Sequence, residues 1–404
     1  MCLVSLLIPF FRPLARVELG PRFVRPHCRD HHRRGGYRPP HCPNPDCRFH
    51  RSRDGWRYVR DGFYIRPSDG RRYQAFQCST CGRNFSARTF SPTYWLKRRD
   101  LLLPVAAWIS EGPALRQIAR VLHTTHATVA RMVSRAGRHC LLFHRRLLDR
   151  AGLKLREPLV IDGFESFEYS QYFPFHANLA TGAKSCFLYA FNDAPLRRKG
   201  SMTLWQKQRR TQLETRLGRP DPKAIETAMA ALVREALALL PAGETLKLHS
   251  DDHPAYVRAI RRVRHDPGCP PIAHEATSST QRRTPANPLF PVNLADLRLR
   301  HGQANHRRET IAFSKRRQAA MERVALFAVW ANCVKRKSEK AGEETSAMEL
   351  GLLARPLRWS GILKRRLFPK QVPLCREWRK YYERRVKTAV FGSRQAVHAC
   401  RYAF

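Results

Sequence analysis

Acidic residues are scarce in this chain. The sequence sets 32 aspartates and glutamates against 75 lysines and arginines, a formal charge of +43 over 404 residues. So one-sided a balance repels itself, and the natural counter-charge is nucleic acid. Long apolar runs are also missing: none approaches the roughly eighteen residues that span a bilayer, so no membrane partner is expected. The run Leu3 to Phe11 is too short, and with no basic region ahead of it a secretory signal is not expected either. A disulfide framework is absent too. Of twelve cysteines, eight are scattered without pairing, which fits a reducing, cytoplasmic interior. The length leaves room for two to four domains.

The other four cysteines are organised. Cys42 and Cys47, then Cys78 and Cys81, form two pairs in which each short turn can place two sulfurs at adjacent corners of a tetrahedron, a closed structural zinc site. Four thiolates leave no open position, which excludes catalytic zinc. Gly82 follows the second pair, where a metal-binding knuckle needs a permissive backbone. Cys28, His41 and His50 stand close enough in sequence to compete as ligands. Residues 1–40, rich in Arg, His and Pro, read as a basic flexible arm. The zinc ribbon spans 41–92, and the alternation in Trp56 to Arg60 and Phe63 to Arg66 predicts two short strands.

Residues 93–150 carry the grammar of a helix-turn-helix. Leu101 to Glu111 has helical apolar spacing, Gly112 and Pro113 break it, and a short helix begins at Leu115. After the turn His123-Thr124-Thr125, a further helix starts at His126. Ile118, Leu122, Val129 and Val133 form the shared core, and Ala119 allows close approach of the two helices. Arg116, Thr125, Thr128, Arg131 and Arg135 face outward as candidate DNA contacts.

From 155 to 335 strands and helices alternate. Pro158 to Phe164 places Asp162 at the end of an apolar run, and two strands follow at Phe173 to Leu179 and Ser185 to Phe191. A basic, polar connection leads to a helix at Pro222 to Leu240. The strand Thr245 to Asp252 ends in Asp251, with Asp252 suited to cap the next helix, Pro254 to Val263. A strand at Pro271 to Ala276 and helices at Asn293 to Arg300 and Met321 to Val334 complete the series. This order predicts an α+β multidomain chain whose ribonuclease-H-like domain has a mixed sheet. In that fold Asp162 and Asp251 lie side by side, and their repulsion favours divalent magnesium or manganese between them. Residues 336–404 form a basic helical C-terminal region whose aromatics read as packing.

The chain resembles bacterial insertion-sequence transposases of the DDE class, the fused two-frame type in which a zinc ribbon and helix-turn-helix precede a ribonuclease-H-like domain. The resemblance covers Cys42 to Lys337. Its carriers are the four ribbon cysteines with Gln77 to Phe85, Val160 to Phe167, Ser250 to Tyr256, Asn293 to Arg300 and Arg308 to Lys315; their order, rather than any single motif, is specific. It implies binding of terminal inverted repeats in double-stranded DNA, hydrolysis that frees a 3′-hydroxyl, and attack of that hydroxyl on target DNA by a homo-oligomer in the nucleoid. Asp162 and Asp251 match the first two metal ligands. The family's glutamate, seven residues before a basic residue, aligns with Asn293, since Arg300 fills the basic place. Asp296, one turn further on, is the preferred third acid; Glu309 and Glu322 are alternatives expected on a solvated surface. Arg298, Arg300, Arg307, Arg308, Lys315, Arg316 and Arg317 offer a basic face for phosphates. A non-catalytic DNA-binding protein derived from the same architecture is the competing expectation.

Overall fold

The computed structural model describes residues 37–394, apart from 68, 151 and 341. Nearly all of the basic arm, Cys28 included, therefore lies outside the described residues. From Pro40 onward the chain forms one compact unit, containing a three-stranded sheet, a mixed five-stranded sheet and helices on both faces of the latter.

The small sheet runs in the order β1 (Tyr58–Ile65), β2 (Arg72–Cys78), β3 (Asn84–Ser86) and is wholly antiparallel. The two short strands expected at 56–66 are a single strand: the register shifts between Arg60 and Phe63. Gly62, at φ +61°, supplies the positive φ such a bulge uses. Phe49, Phe76 and Phe85 pack with the cysteines into a core of its own. That is too little apolar surface to hold some fifty residues unaided.

Three helices follow. α1 (Leu102–Ser110) and α2 (Leu115–Val121) are short, whereas α3 (His126–Arg150) continues for 25 residues. Ile118, Val129 and Val133 are buried as expected, and Ala119 sits at the close approach. The length of α3 was not legible from the motif. Its C-terminal half crosses α8 (Arg317–Cys333), and Gly137 permits the contact, since a Cβ there would collide with the Glu322 carbonyl. Consequently the helical segment and the large sheet share one core.

In the large sheet the order is β6 (Leu188–Pro195), β5 (Pro174–Gly182), β4 (Leu159–Phe167), β7 (Leu246–Asp251), β8 (Ile272–Thr277). β4, β5 and β6 pair antiparallel, while β4–β7 and β7–β8 are parallel. Parallel neighbours need helical crossovers. α4 (Leu204–Leu217) and α5 (Ala224–Leu237) connect β6 to β7, and α6 (Pro254–Arg264) connects β7 to β8. α4 lies in the basic, polar connection, where the sequence reading placed no helix. His253, rather than Asp252, caps α6: its Nδ1 accepts from the Ala255 amide, 3.2 Å away.

Strand alternation decides which side chain meets which layer. Leu159 and Ile161 point into the core shared with α5 and α6. Val160, Asp162 and Phe164 point the other way, where Val160 and Phe164 join the core formed with α1, α3, α8 and α7 (Phe290–Gly302). Beyond α8 come three short helices, α9 (Ser346–Glu349), α10 (Trp359–Ile362) and α11 (Arg376–Tyr382). The aromatics of α11 are packed: Trp378 donates from Nε1 to the Phe191 carbonyl (3.0 Å), and the Tyr381 hydroxyl to Asp193 (2.6 Å). Among the described residues no helix is long and apolar enough to cross a membrane.

Candidate functional site

Two separate clusters gather chemistry-bearing side chains. In the first, the sulfurs of Cys42, Cys47, Cys78 and Cys81 all lie within 4.8 Å of one another. Cys42 Sγ and Cys81 Sγ are 3.6 Å apart, close to the roughly 3.8 Å separating two sulfurs each 2.3 Å from a tetrahedral zinc. Local turns aim them. The Cys47 amide donates to the Asn44 carbonyl and the Gly82 amide to the Cys78 carbonyl, and Gly82 takes a φ of +67°. Burial raises the Cys78 thiol, but the indole N–H of Trp56, 3.3 Å from its sulfur, and the amides of Cys81 and Thr80 bring it down to about 6. Four such sulfurs are compatible with structural zinc. His41 and His50 are engaged elsewhere: each Nδ1 bonds the Cys42 carbonyl, at 3.0 and 2.9 Å, and each ring packs edge-on against Phe368.

The second cluster lies where β4 and β7 run side by side. Ile161 is paired with Ser250, so the next residues in register are Asp162 and Asp251. α7 brings Asp296 within electrostatic range of Asp162. Asp162 is pushed up to about 7, first by burial and then by the charge of Asp251, with Asp296 adding to the repulsion. Burial also raises Asp251 and Asp296. Asp162 and Asp251 are thus side by side, with Asp296 within electrostatic range of Asp162. Asn293 and Asp296 line one open cleft with Arg283, Arg300 and Arg308.

Several groups around the acids were given no role in shaping this site by the sequence. The buried Tyr256 of α6 donates its hydroxyl to Asp162 Oδ1 (3.2 Å), and the Gly163 amide donates to the same oxygen (2.7 Å). Gly163 has to be glycine, because a Cβ would strike the His176 ring and the Ala177 carbonyl. His176 is oriented by a polar chain through the sheet. Its Nδ1 contacts Asn178 Oδ1 at 2.6 Å, Asn178 Nδ2 donates to Asn192 Oδ1 at 2.7 Å, and Asn192 Nδ2 donates to the Ala228 carbonyl at 2.6 Å. Arg300 bonds both oxygens of Asp296, at 3.0 and 3.2 Å, and lies over the Phe164 ring. A residue four positions along a helix reaches back in just this way.

The remaining candidates divide. Arg116, Thr125 and Arg131 are exposed and Thr128 is half-buried; Thr125 Oγ1 accepts from the Thr128 amide as a cap of α3, and Arg131 donates to Thr128 Oγ1. Arg135 does not face outward: it is buried, and its guanidinium donates to the Pro92 and Tyr94 carbonyls. It braces the loop ahead of α1. Arg308 and Lys315 are exposed, the latter over Phe313. Arg317 instead pairs with Asp193 and Glu168 inside the protein, and Arg298 donates to the Lys337 carbonyl. Glu309 is exposed, but Glu322 is buried in α8 against Gln318 and Arg384, contrary to the solvated surface expected of it. Its burial follows from the α3–α8 contact, which a helical pattern cannot display. No protein-family model and no curated protein matches this chain.

Proposed function

We propose that this protein is a DNA transposase of the DDE type, with a zinc ribbon and helix-turn-helix that hold DNA and a ribonuclease-H-like domain that cuts and joins it. One observation carries the reading: Asp162 and Asp251 stand on adjacent parallel strands, with Asp296 of α7 near enough to repel Asp162. The strand order, with the first three antiparallel and the fourth and fifth parallel to the first, supports the ribonuclease-H-like assignment. The charge of +43 supports double-stranded DNA as the partner.

The donor set fits a divalent cation. Asp162 and Asp251 on adjacent strands, with Asp296 in electrostatic range of Asp162, offer hard oxygen ligands, and the repulsion on Asp162 is relieved by positive charge. Asp162, Asp251 and Asp296 would hold magnesium or manganese, and Asn293 shares a cleft with Asp296 and offers a neutral amide oxygen. When bound, the cation supplies Lewis acidity and a more acidic water. Tyr256 and the Gly163 amide keep Asp162 aimed and favour its ionised form. The proposed reaction joins a water oxygen to a DNA phosphorus and breaks the bond to the 3′-oxygen, leaving a 3′-hydroxyl. That hydroxyl then displaces the 3′-oxygen of a target phosphodiester, as terminal-repeat DNA is joined within a homo-oligomer.

The pairing of Asp296 with Arg300 favours a second reading, a DNA-binding protein that no longer cuts. Purified protein, manganese and duplexes carrying the inverted repeats beside its reading frame separate the two. Transposase action predicts nicking that Asp251→Asn abolishes while binding persists. Nicking that survives the substitution overturns the assignment of the acids, and salt-sensitive binding without nicking in any metal selects the second reading.

A further inference from the structure

Helix α4 is the part of the fold that packing does not explain. It is inserted between β6 and α5, and none of its fourteen residues is buried. It is nonetheless well formed: Thr203 caps it by accepting from the Gln206 amide (3.2 Å), and Gln206 Oε1 accepts from the Thr203 amide in return (3.1 Å). Its inner side folds onto the segment that leads into it. Arg197 grips both oxygens of Glu214, at 2.8 and 3.0 Å, and Arg210 donates to the Arg198 carbonyl (3.0 Å).

The outer side is a stripe. Trp205, Arg209, Gln212 and Arg216 recur at helical spacing, and all four are exposed, Trp205 at 66%. Burying an indole is worth more than burying most side chains, so one held out on a stable helix points to a partner. Charge names the partner. Between 197 and 219 there are eight lysines and arginines against a single acid, Glu214, which Arg197 and Arg210 already occupy. Among the described residues no carboxylate pairs with Lys207, Arg209 or Arg216.

Topology places the stripe at the right end of the sheet. β6 runs in the direction of β4, since each is antiparallel to β5. The connection to α4 therefore leaves the sheet at the end where Asp251 closes β7, while Asp162 lies level with Phe191, four residues before the end of β6. Arg198 in that connection lies over Tyr172 in the turn that follows β4, 5.3 Å from its ring centroid.

We infer that α4 is a nucleic-acid contact: Trp205 stacks on an unpaired base of the DNA strand entering the three-acid site, and Arg209 and Arg216 hold the flanking phosphates. The inference rests on the reading that this site acts on DNA. Stacking tolerates any base because every base has a π-face, so the contact recognises an opened end rather than a sequence.

The test uses the full-length protein in EDTA, so that nothing is cut, with fluorescein-labelled duplexes that are blunt or bear a short single-stranded 3′ tail. Tailed DNA binds more tightly than blunt. Trp205→Ala reduces that preference by about tenfold and Trp205→Phe retains most of it. Arg209→Gln with Arg216→Gln lowers the slope of log affinity against log salt by about two for both probes. An unchanged tailed-to-blunt ratio in Trp205→Ala overturns the inference. So does a dimer, seen by light scattering, that Trp205→Ala dissolves while DNA affinity stays the same, since the stripe would then be covered by a second copy. Binding in EDTA needs no cutting and nicking in manganese is measured apart from it, so the two readings fail separately.

Discussion

Replacing Tyr256 by phenylalanine removes one hydroxyl and little else. The ring is wholly buried between His176 and His253, with centroids 6.3 and 5.0 Å away, and phenylalanine keeps that shape. The hydroxyl lies 3.2 Å from Asp162 Oδ1, and donating to a carboxylate favours its ionised form. A hydrogen bond to a charged group contributes about 1.5–3 kcal/mol, which at 1.36 kcal/mol per unit is a pKa change of about one to two units. Asp162, already pushed up to about 7, therefore moves higher in Tyr256→Phe. Protons and divalent cations compete for the ionised carboxylate, so the variant's manganese affinity falls most at mildly acid pH and rejoins that of the parent well above both pKa values. Calorimetric titration of manganese across pH reads the shift directly. The acid limb of the nicking profile moves by the same amount. Equal affinity at every pH, or one uniform drop with no shift of midpoint, refutes the argument that Tyr256 sets the charge of Asp162.

Cys81→Ser removes one corner of the sulfur cluster; metal content falls from about one zinc per chain, and limited proteolysis opens the chain between residues 41 and 92 while the large sheet stays protected. His144 is buried against Trp378 and Phe187, and burial, with Arg145 adding to it, lowers its pKa to about 3. The unfolded chain therefore takes up that proton first as pH falls below about 6.5, and folding stability drops by about 1.4 kcal/mol per pH unit until the folded value is reached. His144→Leu abolishes this loss, so the difference in unfolding free energy between pH 8 and about pH 5.5, measured with urea, shrinks by about 1.4 kcal/mol. Gly137→Ala drives a methyl into the Glu322 carbonyl and lowers stability by about 1–3 kcal/mol, because two packed helices cannot both yield. Parental stability in that variant means the helices separate at little cost.

Legibility followed the range over which each feature is encoded. The cysteine quartet could be read because the ligands of each turn are sequence neighbours. Asp162 and Asp251 could be read because each closes an apolar run whose strand partners are implied by the order of elements. Asp296 stood out among four candidates only because α7 spacing puts it one turn from Asn293. Arg135 and Glu322 were assigned to surfaces because periodicity shows that a helix has a polar side, and says nothing of what a second helix brings to that side. α4 was missed for the opposite reason. It buries no residue, so it carries no apolar stripe, and its signal lies in local capping at Thr203.

The sequence by itself determined the excess of basic charge, the four-sulfur cluster and the strand-borne acids, since charge, short-range turns and apolar runs are properties of contiguous residues. Only the tertiary structure decided that Tyr256, His176 and Arg300 surround those acids, that α3 joins the core of the large sheet instead of standing apart, and that an indole on α4 is left in solvent. Each depends on residues far apart in the chain being packed together or kept apart, and close packing is a property of the assembled elements rather than of any segment within them.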